Sequence, residues 1–334
     1  MRGAPPLREL QLQSSWLLLH SVAKPTRTLY TAQYKSYREF ALHYHLQDFP
    51  LTEHTLVLFA THLSRRSQSH KSIKRYMAGL NFFAQVLGHT NVFDSAPRLA
   101  RLIRGIKRYQ GQQYSRPQRS PVTPLLLRKM GRNLFRSPML YEDKLMIWAA
   151  MLTAFFGFLR VSEYTSKLVR SHDPTSTLCV QDVTVGLATA ELQIKSSKTD
   201  PFRQGITMRL AANGSTLCPI RALNHYQQAS PRTTGPFVRF ADGRNLTRRG
   251  FMKVLNMIKP QDVANMSTHS FRIGAATAAA AAGYPRWAIQ AMGRWTSDCY
   301  RTYIRITNTT IGNMSRAMAF VPVVDFPPFE PDYL

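Results

Sequence analysis

The chain has 334 residues, 44% of them hydrophobic, which suffices for two packed domains and excludes disorder throughout. Lys and Arg total 44 against 18 acidic residues, a formal charge of +26 that exceeds what solubility requires and implies a polyanionic partner. Nucleic acid leads, a membrane surface or a ribosomal particle stays open on charge alone, and three cysteines in no metal-ligand spacing support neither a disulfide framework nor a zinc site.

At the N-terminus Glu9 and a polar run separate Arg2 and Arg8 from the brief apolar Trp16 to Leu19, unlike a secretory signal, so no export is expected. From about residue 14 to 110 helical patterns alternate with short turns, and no period-two alternation appears. Thr52 is placed to cap a helix carrying Leu56, Leu58, Phe59 and Leu63, and Ser72 to Leu87 predicts another with Ile73, Met77, Leu80 and Phe83. Between 98 and 108, Arg98, Arg101, Arg104 and Lys107 recur every third residue opposite Leu99, Leu102, Ile103 and Ile106, and Arg108 follows. One face is core and the other cationic. Solvated charged faces normally mix signs, whereas no acidic residue occurs between Asp94 and Glu142, so this face predicts phosphate contact. Residues 111–122, with Arg116 and Arg119 among Gly, Ser, Gln and Pro, read as a basic linker, either an exposed spacer or the hinge of a clamp.

Thr123-Pro124 signals a helix start, and Ser137-Pro138 repeats the signal ahead of the apolar 146–159 helix, which is too short to span a bilayer. Arg160 stands at the end of that helix three residues before Glu163, and alone this reads as a snorkelling cation paired with a carboxylate. Strand-like runs follow at 177–185, 191–195 and 205–210, and helical patterns return from Pro219. The fold class expected is therefore mainly α with a small antiparallel β-sheet. Thr268 is a candidate N-cap with His269 and Arg272 on one face near the helix start, where two donors and the helix dipole favour a phosphate, although such a pair alone more often has a structural role. Gly293-Arg294-Trp295 comes next, and then Tyr300 and Tyr303, whose helical spacing does not choose between them. No Gly-rich phosphate loop and no paired-carboxylate metal motif is found.

The order histidine, arginine, Gly-Arg-Trp and Tyr303-Ile304-Arg305 resembles the tyrosine recombinase (phage integrase) family, and particularly the recombinases of eukaryotic crypton- and DIRS-type mobile elements. The resemblance spans most of the chain. It implies a helical core-binding domain over 1–110, the linker 111–122, a catalytic domain over 123–306 that closes a clamp on double-stranded DNA, and a tail over 307–334 that docks on a neighbouring protomer of a tetramer. It also implies the site: Arg160, Lys198, His269, Arg272, Trp295 and the nucleophile Tyr303, with Glu163 in support. Lys195 competes with Lys198, and Trp295 stands where many relatives have a second histidine. Arg294 departs from the bacterial Gly-His pattern, with phosphate contact and plain surface both open.

In such a site Arg160 and Arg272 hold the non-bridging oxygens and stabilise the pentacoordinate transition state. A free phenol has a pKa of about 10 and needs nearby cations to attack at neutral pH. His269 serves as general base or acid, Lys198 protonates the departing 5′ oxygen, and the 3′-phosphotyrosine retains the bond energy for resealing, so neither metal nor ATP is expected. A non-catalytic DNA-binding descendant and a type IB topoisomerase-like relaxing enzyme are the alternatives. Eukaryotic likeness and basic runs such as Arg65-Arg66 predict a nuclear location.

Overall fold

Apolar residues at helical intervals shape everything described before residue 114. In the computed structural model, which describes residues 5–113, 118–197, 200, 204–305, 311–313 and 315–316, the chain divides into two units, 1–116 and 117–334. The first contains α1 (Leu7–His20), α2 (Lys24–His43), α3 (Glu53–Arg65), α4 (His70–Val86) and α5 (Pro97–Gln113). Tyr37 and Phe40 of α2, Leu56, Phe59 and Leu63 of α3, and Ile73, Met77 and Leu80 of α4 form its core with Leu99 and Ile106 of α5. Thr52 caps α3 in a reciprocal box with Thr55, satisfying two orphan donors of the first turn. The Glu53 carboxylate accepts the backbone N–H groups of Arg98 (2.7 Å) and Leu99 (3.3 Å), so the start of α3 also caps α5.

The second unit contains α6 (Pro124–Arg136), α7 (Tyr141–Phe156), α8 (Val161–Tyr164), the strands β1 (Val183–Val185), β2 (Thr189–Ile194) and β3 (Ile206–Ala211), then α9 (Pro219–Ala229), α10 (Arg248–Ile258), α11 (Ser270–Ala281) and α12 (Arg286–Gly293). A 3-10 turn over Asp298–Thr302 follows. The sheet is an antiparallel meander in the order β1-β2-β3, with Val183 opposite Leu192 and Ile194 opposite Ile206. β2 alternates, burying Ala190, Leu192 and Ile194. Helix α7 is buried on nearly every side, as its unbroken apolar run requires. The architecture is thus mainly helical with a small three-stranded antiparallel sheet.

Several boundaries differ from the sequence expectation. Ser137 ends α6, its hydroxyl donating to the Leu134 carbonyl, and α7 starts only at Tyr141. The 177–185 run is a strand only from Val183, because the Asp182 carboxylate draws back the Cys179 N–H and closes a 3-10 turn over Val180–Asp182. The expected linker is structured at both ends: α5 continues to Gln113, and Val122 is fully buried with its N–H donating to the Ser270 carbonyl. Ser120 adds a 2.6 Å bond to the Ala264 carbonyl. At Gly274 a Cβ would collide with the Val122 backbone, so a glycine on α11 is what admits this strap. Arg116, Lys198 and most of the 307–334 tail lie outside the described residues. Among the described residues no helix is long and apolar enough to cross a membrane.

Candidate active site

The apolar helix does not carry Arg160 at its tip. Helix α7 stops at Phe156, Gly157 takes the cap position, and Phe158 adopts a left-handed backbone (φ 49°), a conformation costly for a bulky side chain. That turn leads into α8, with Arg160 in the N-cap position. Glu163 is buried, and its carboxylate accepts from the Arg160 backbone N–H (2.9 Å) and the Arg160 guanidinium (2.9 Å). The remaining N–H groups of the Arg160 guanidinium have no protein acceptor among the described residues. Isolated pairing with Glu163 therefore leaves most of its fork free.

Helix α11 begins at Ser270 with His269 in the cap position, one residue past the expected Thr268. Ser267 and Ser270 already form a hydroxyl-bonded turn ahead of it, which moves the helix start forward. Arg272 is completely buried and donates to the carbonyls of Phe158 and Gly293, while its Nε has no acceptor among the described residues. Its guanidinium lies 4.2 Å from the Trp295 ring centre and 5.7 Å from that of Tyr303. The left-handed turn at Phe158 thus has a local use, presenting a carbonyl to Arg272.

Gly293-Arg294-Trp295 terminates α12, with Arg294 left-handed (φ 52°). A Cβ on Gly293 would fall inside the Trp295 ring, so only glycine lets the indole fold back over the helix end. The Trp295 Nε1 is buried without an acceptor among the described residues. Tyr303 packs 4.8 Å from the Trp295 ring and 4.9 Å from the His269 ring. Thr277 of α11 secures the turn beyond it, donating to the Tyr303 carbonyl (3.2 Å) and accepting from the Arg305 N–H (3.1 Å). Tyr300, by contrast, is buried in the hydrophobic core, 6.4 Å from the Trp295 ring. Geometry brings Tyr303, and not Tyr300, to the histidine.

Burial, reinforced by the charges of Arg119, Arg272, Arg160 and Arg248, lowers the His269 pKa to about 4, so the imidazole is neutral at neutral pH. Arg119, expected to touch DNA, therefore belongs electrostatically to this site as well. Sequence reasoning does not single out Arg248, although a signal is present: Arg248 and Arg249 occupy the first turn of α10 behind the Thr247 cap, where positive charge opposes the helix dipole and calls for a reason other than stability. Lys195 is tied to Asp182 (2.6 Å) and to the Pro174 carbonyl (2.9 Å), which weighs against its moving with a leaving group. Arg98, Arg101, Arg104, Lys107 and Arg108 are all exposed along α5. Among the described residues no group of His, Cys, Asp and Glu has the makings of a metal site.

No protein-family model matches the chain, and no curated protein matches it. Solved structures do. The Tn1549 transposon integrase in complex with transposon right end DNA superposes with a TM-score of 0.58 at 13% identity, over 92% of this chain and 98% of that one. A lambda integrase dimer bound to a core site gives 0.56 at 17% identity, over 89% and 94%. XerH site-specific recombinase with its palindromic difH substrate gives 0.52 at 12% identity, over 85% and 76%. The chain has the fold of the tyrosine recombinases.

Proposed function

We propose that this chain is a site-specific DNA recombinase of the integrase kind, which cleaves and rejoins strands through a 3′-phosphotyrosine on Tyr303 without metal or ATP. The observation that carries the reading is the placement of Tyr303 against His269, Trp295 and Arg272. The scissile phosphate would lie over Arg160, which has free donors, and near the unpaired Nε1 of Trp295 and Nε of Arg272. Neutral His269 can accept the phenol proton as general base. Lys198, on the segment between β2 and β3, would protonate the departing 5′ oxygen. In this reading Arg272 acts mainly as a buried cation whose position is locked by two carbonyls.

The first unit would bind DNA through the cations of α5, and the two units would close on the duplex as a clamp. The matched lambda integrase structures include a tetramer bound to a Holliday junction and dimers bound to a core site, and a tetramer on two duplexes is the assembly proposed here. A groove of about 500 Å³ beside α11 and α12, lined by Phe156, Ala278, Ala279, Ile289 and Met292, suits the apolar tail 307–334 of a neighbour. Crypton- or DIRS-type origin and a nuclear location complete the reading, on the motif order in the last box.

The test is covalent trapping on nicked duplexes from the ends of the source element, read on a denaturing gel. An adduct lost in Tyr303→Phe and kept in Tyr300→Phe is expected. Loss only in Tyr300→Phe would overturn the nucleophile. No adduct alongside tight, salt-sensitive DNA binding would favour a non-catalytic DNA-binding protein, and plasmid relaxation without strand exchange a type IB topoisomerase-like enzyme.

A further inference from the structure

The residue between Gly293 and Trp295 has no assigned task, and its surroundings give it one. Arg294 neither faces solvent nor lies open to a ligand: its side chain is 7% exposed, and its guanidinium donates to Glu163 Oε2 at 2.6 Å. A longer contact of 3.4 Å reaches the Gly157 carbonyl. Glu163 is itself buried, and the only cations bonded to it among the described residues are Arg160 and Arg294. Each takes a different oxygen, Arg160 through Oε1 with its side chain and Arg294 through Oε2.

This division has a consequence for Arg160. A planar guanidinium and a carboxylate prefer two parallel hydrogen bonds, and a buried carboxylate draws every donor within reach. With Oε2 held by Arg294 and by the Arg160 backbone N–H, the Arg160 side chain can give Glu163 only one bond. Its other N–H groups have no acceptor among the described residues. Were Arg294 lost, Oε2 would lack its charged donor, and the nearest replacement is the rest of the Arg160 fork.

We propose that Arg294 is a positioning residue that acts through Glu163, occupying one carboxylate oxygen so that Arg160 keeps its free guanidinium edge for the phosphate; this rests on the recombinase reading of the site. The left-handed backbone at Arg294 is part of the device, since it ends α12, lets the Gly293 carbonyl meet Arg272 and sends the arginine to Glu163 in the same turn. One tripeptide thereby serves both arginines of the site.

The test uses the full chain and the variants Arg294→Met, Arg294→Lys, Glu163→Gln and Arg294→Met with Glu163→Gln. Phenylglyoxal labelling of Arg160, mapped by peptide mass spectrometry, reads its free edge without requiring catalysis. Arg160 is expected to label in the wild type, to be protected in Arg294→Met, and to label again in the double variant, whose neutral amide no longer holds both halves of the fork. Covalent adduct formation on the nicked duplex should fall by about a hundredfold in Arg294→Met, less in Arg294→Lys, and no further in the double variant than in Glu163→Gln alone. Unchanged Arg160 labelling or strictly multiplicative losses would overturn the proposal. If Arg294→Met fails to fold, the double variant, which buries no unpaired carboxylate, and Arg294→Lys decide the same question. Labelling as expected with no adduct in the wild type would instead count against the recombinase reading and leave the positioning intact.

Discussion

His269 couples the chemistry of the site to the stability of the protein. Burial first, then the charges of Arg119, Arg272, Arg160 and Arg248, disfavour the imidazolium and hold its pKa at about 4. An unfolded histidine takes up its proton near pH 6.5. Above that pH both states are neutral and His269 adds no pH dependence. Between about 6.5 and about 4 the unfolded chain alone is protonated, so stability must fall as the pH drops through this window. Denaturant midpoints measured across it should decline, and His269→Gln should flatten the decline. A slope of equal size in His269→Gln would mean that other groups carry it.

Helix α10 is built against its own dipole. Thr247 caps it well, accepting from the Gly250 N–H at 3.1 Å, yet Arg248 and Arg249 fill the first turn where acidic residues stabilise. The buried stripe Phe251, Val254, Leu255 and Ile258 supplies the anchoring that tolerates this. Arg248→Ala should therefore leave the thermal midpoint unchanged or raise it, while weakening DNA binding and raising the pKa of His269. A lower midpoint with undiminished DNA affinity would show that the arginine serves the fold. Helix α5 presents the simpler arrangement, with Leu99 and Ile106 inward and a row of cations outward.

Across the whole molecule, 44 basic against 18 acidic residues would make the proposed binding to DNA a matter of counterion release. The logarithm of the affinity should fall linearly with the logarithm of salt concentration. Replacing Arg101 and Arg104 of α5 with alanine should reduce that slope by roughly 0.9 for each phosphate that is no longer neutralised, measured by fluorescence anisotropy on one duplex. A slope identical to the wild type would remove α5 from the DNA interface. The same substitutions should leave the pH dependence of stability untouched, because neither residue is among the charges that act on His269.

Local patterns carried much of this in the sequence itself. The apolar periodicity of α3, α4 and α5, the Thr52 and Thr123 caps, and the mainly helical class with one small sheet depend on neighbours within a few residues, and those are legible in order. The His269 and Arg272 pair was legible for the same reason. Contacts between distant residues were not. Helical spacing left Tyr300 and Tyr303 equivalent and the resemblance alone chose Tyr303, whereas the packing of the last turn on α11 separates a core tyrosine from one beside the histidine. Nothing local tells that Arg294 meets Glu163, or that Arg119 and Arg248 share the field at His269. A buried charge takes its meaning from whichever partner the tertiary fold brings within hydrogen-bonding reach, and sequence distance sets no limit on that partner.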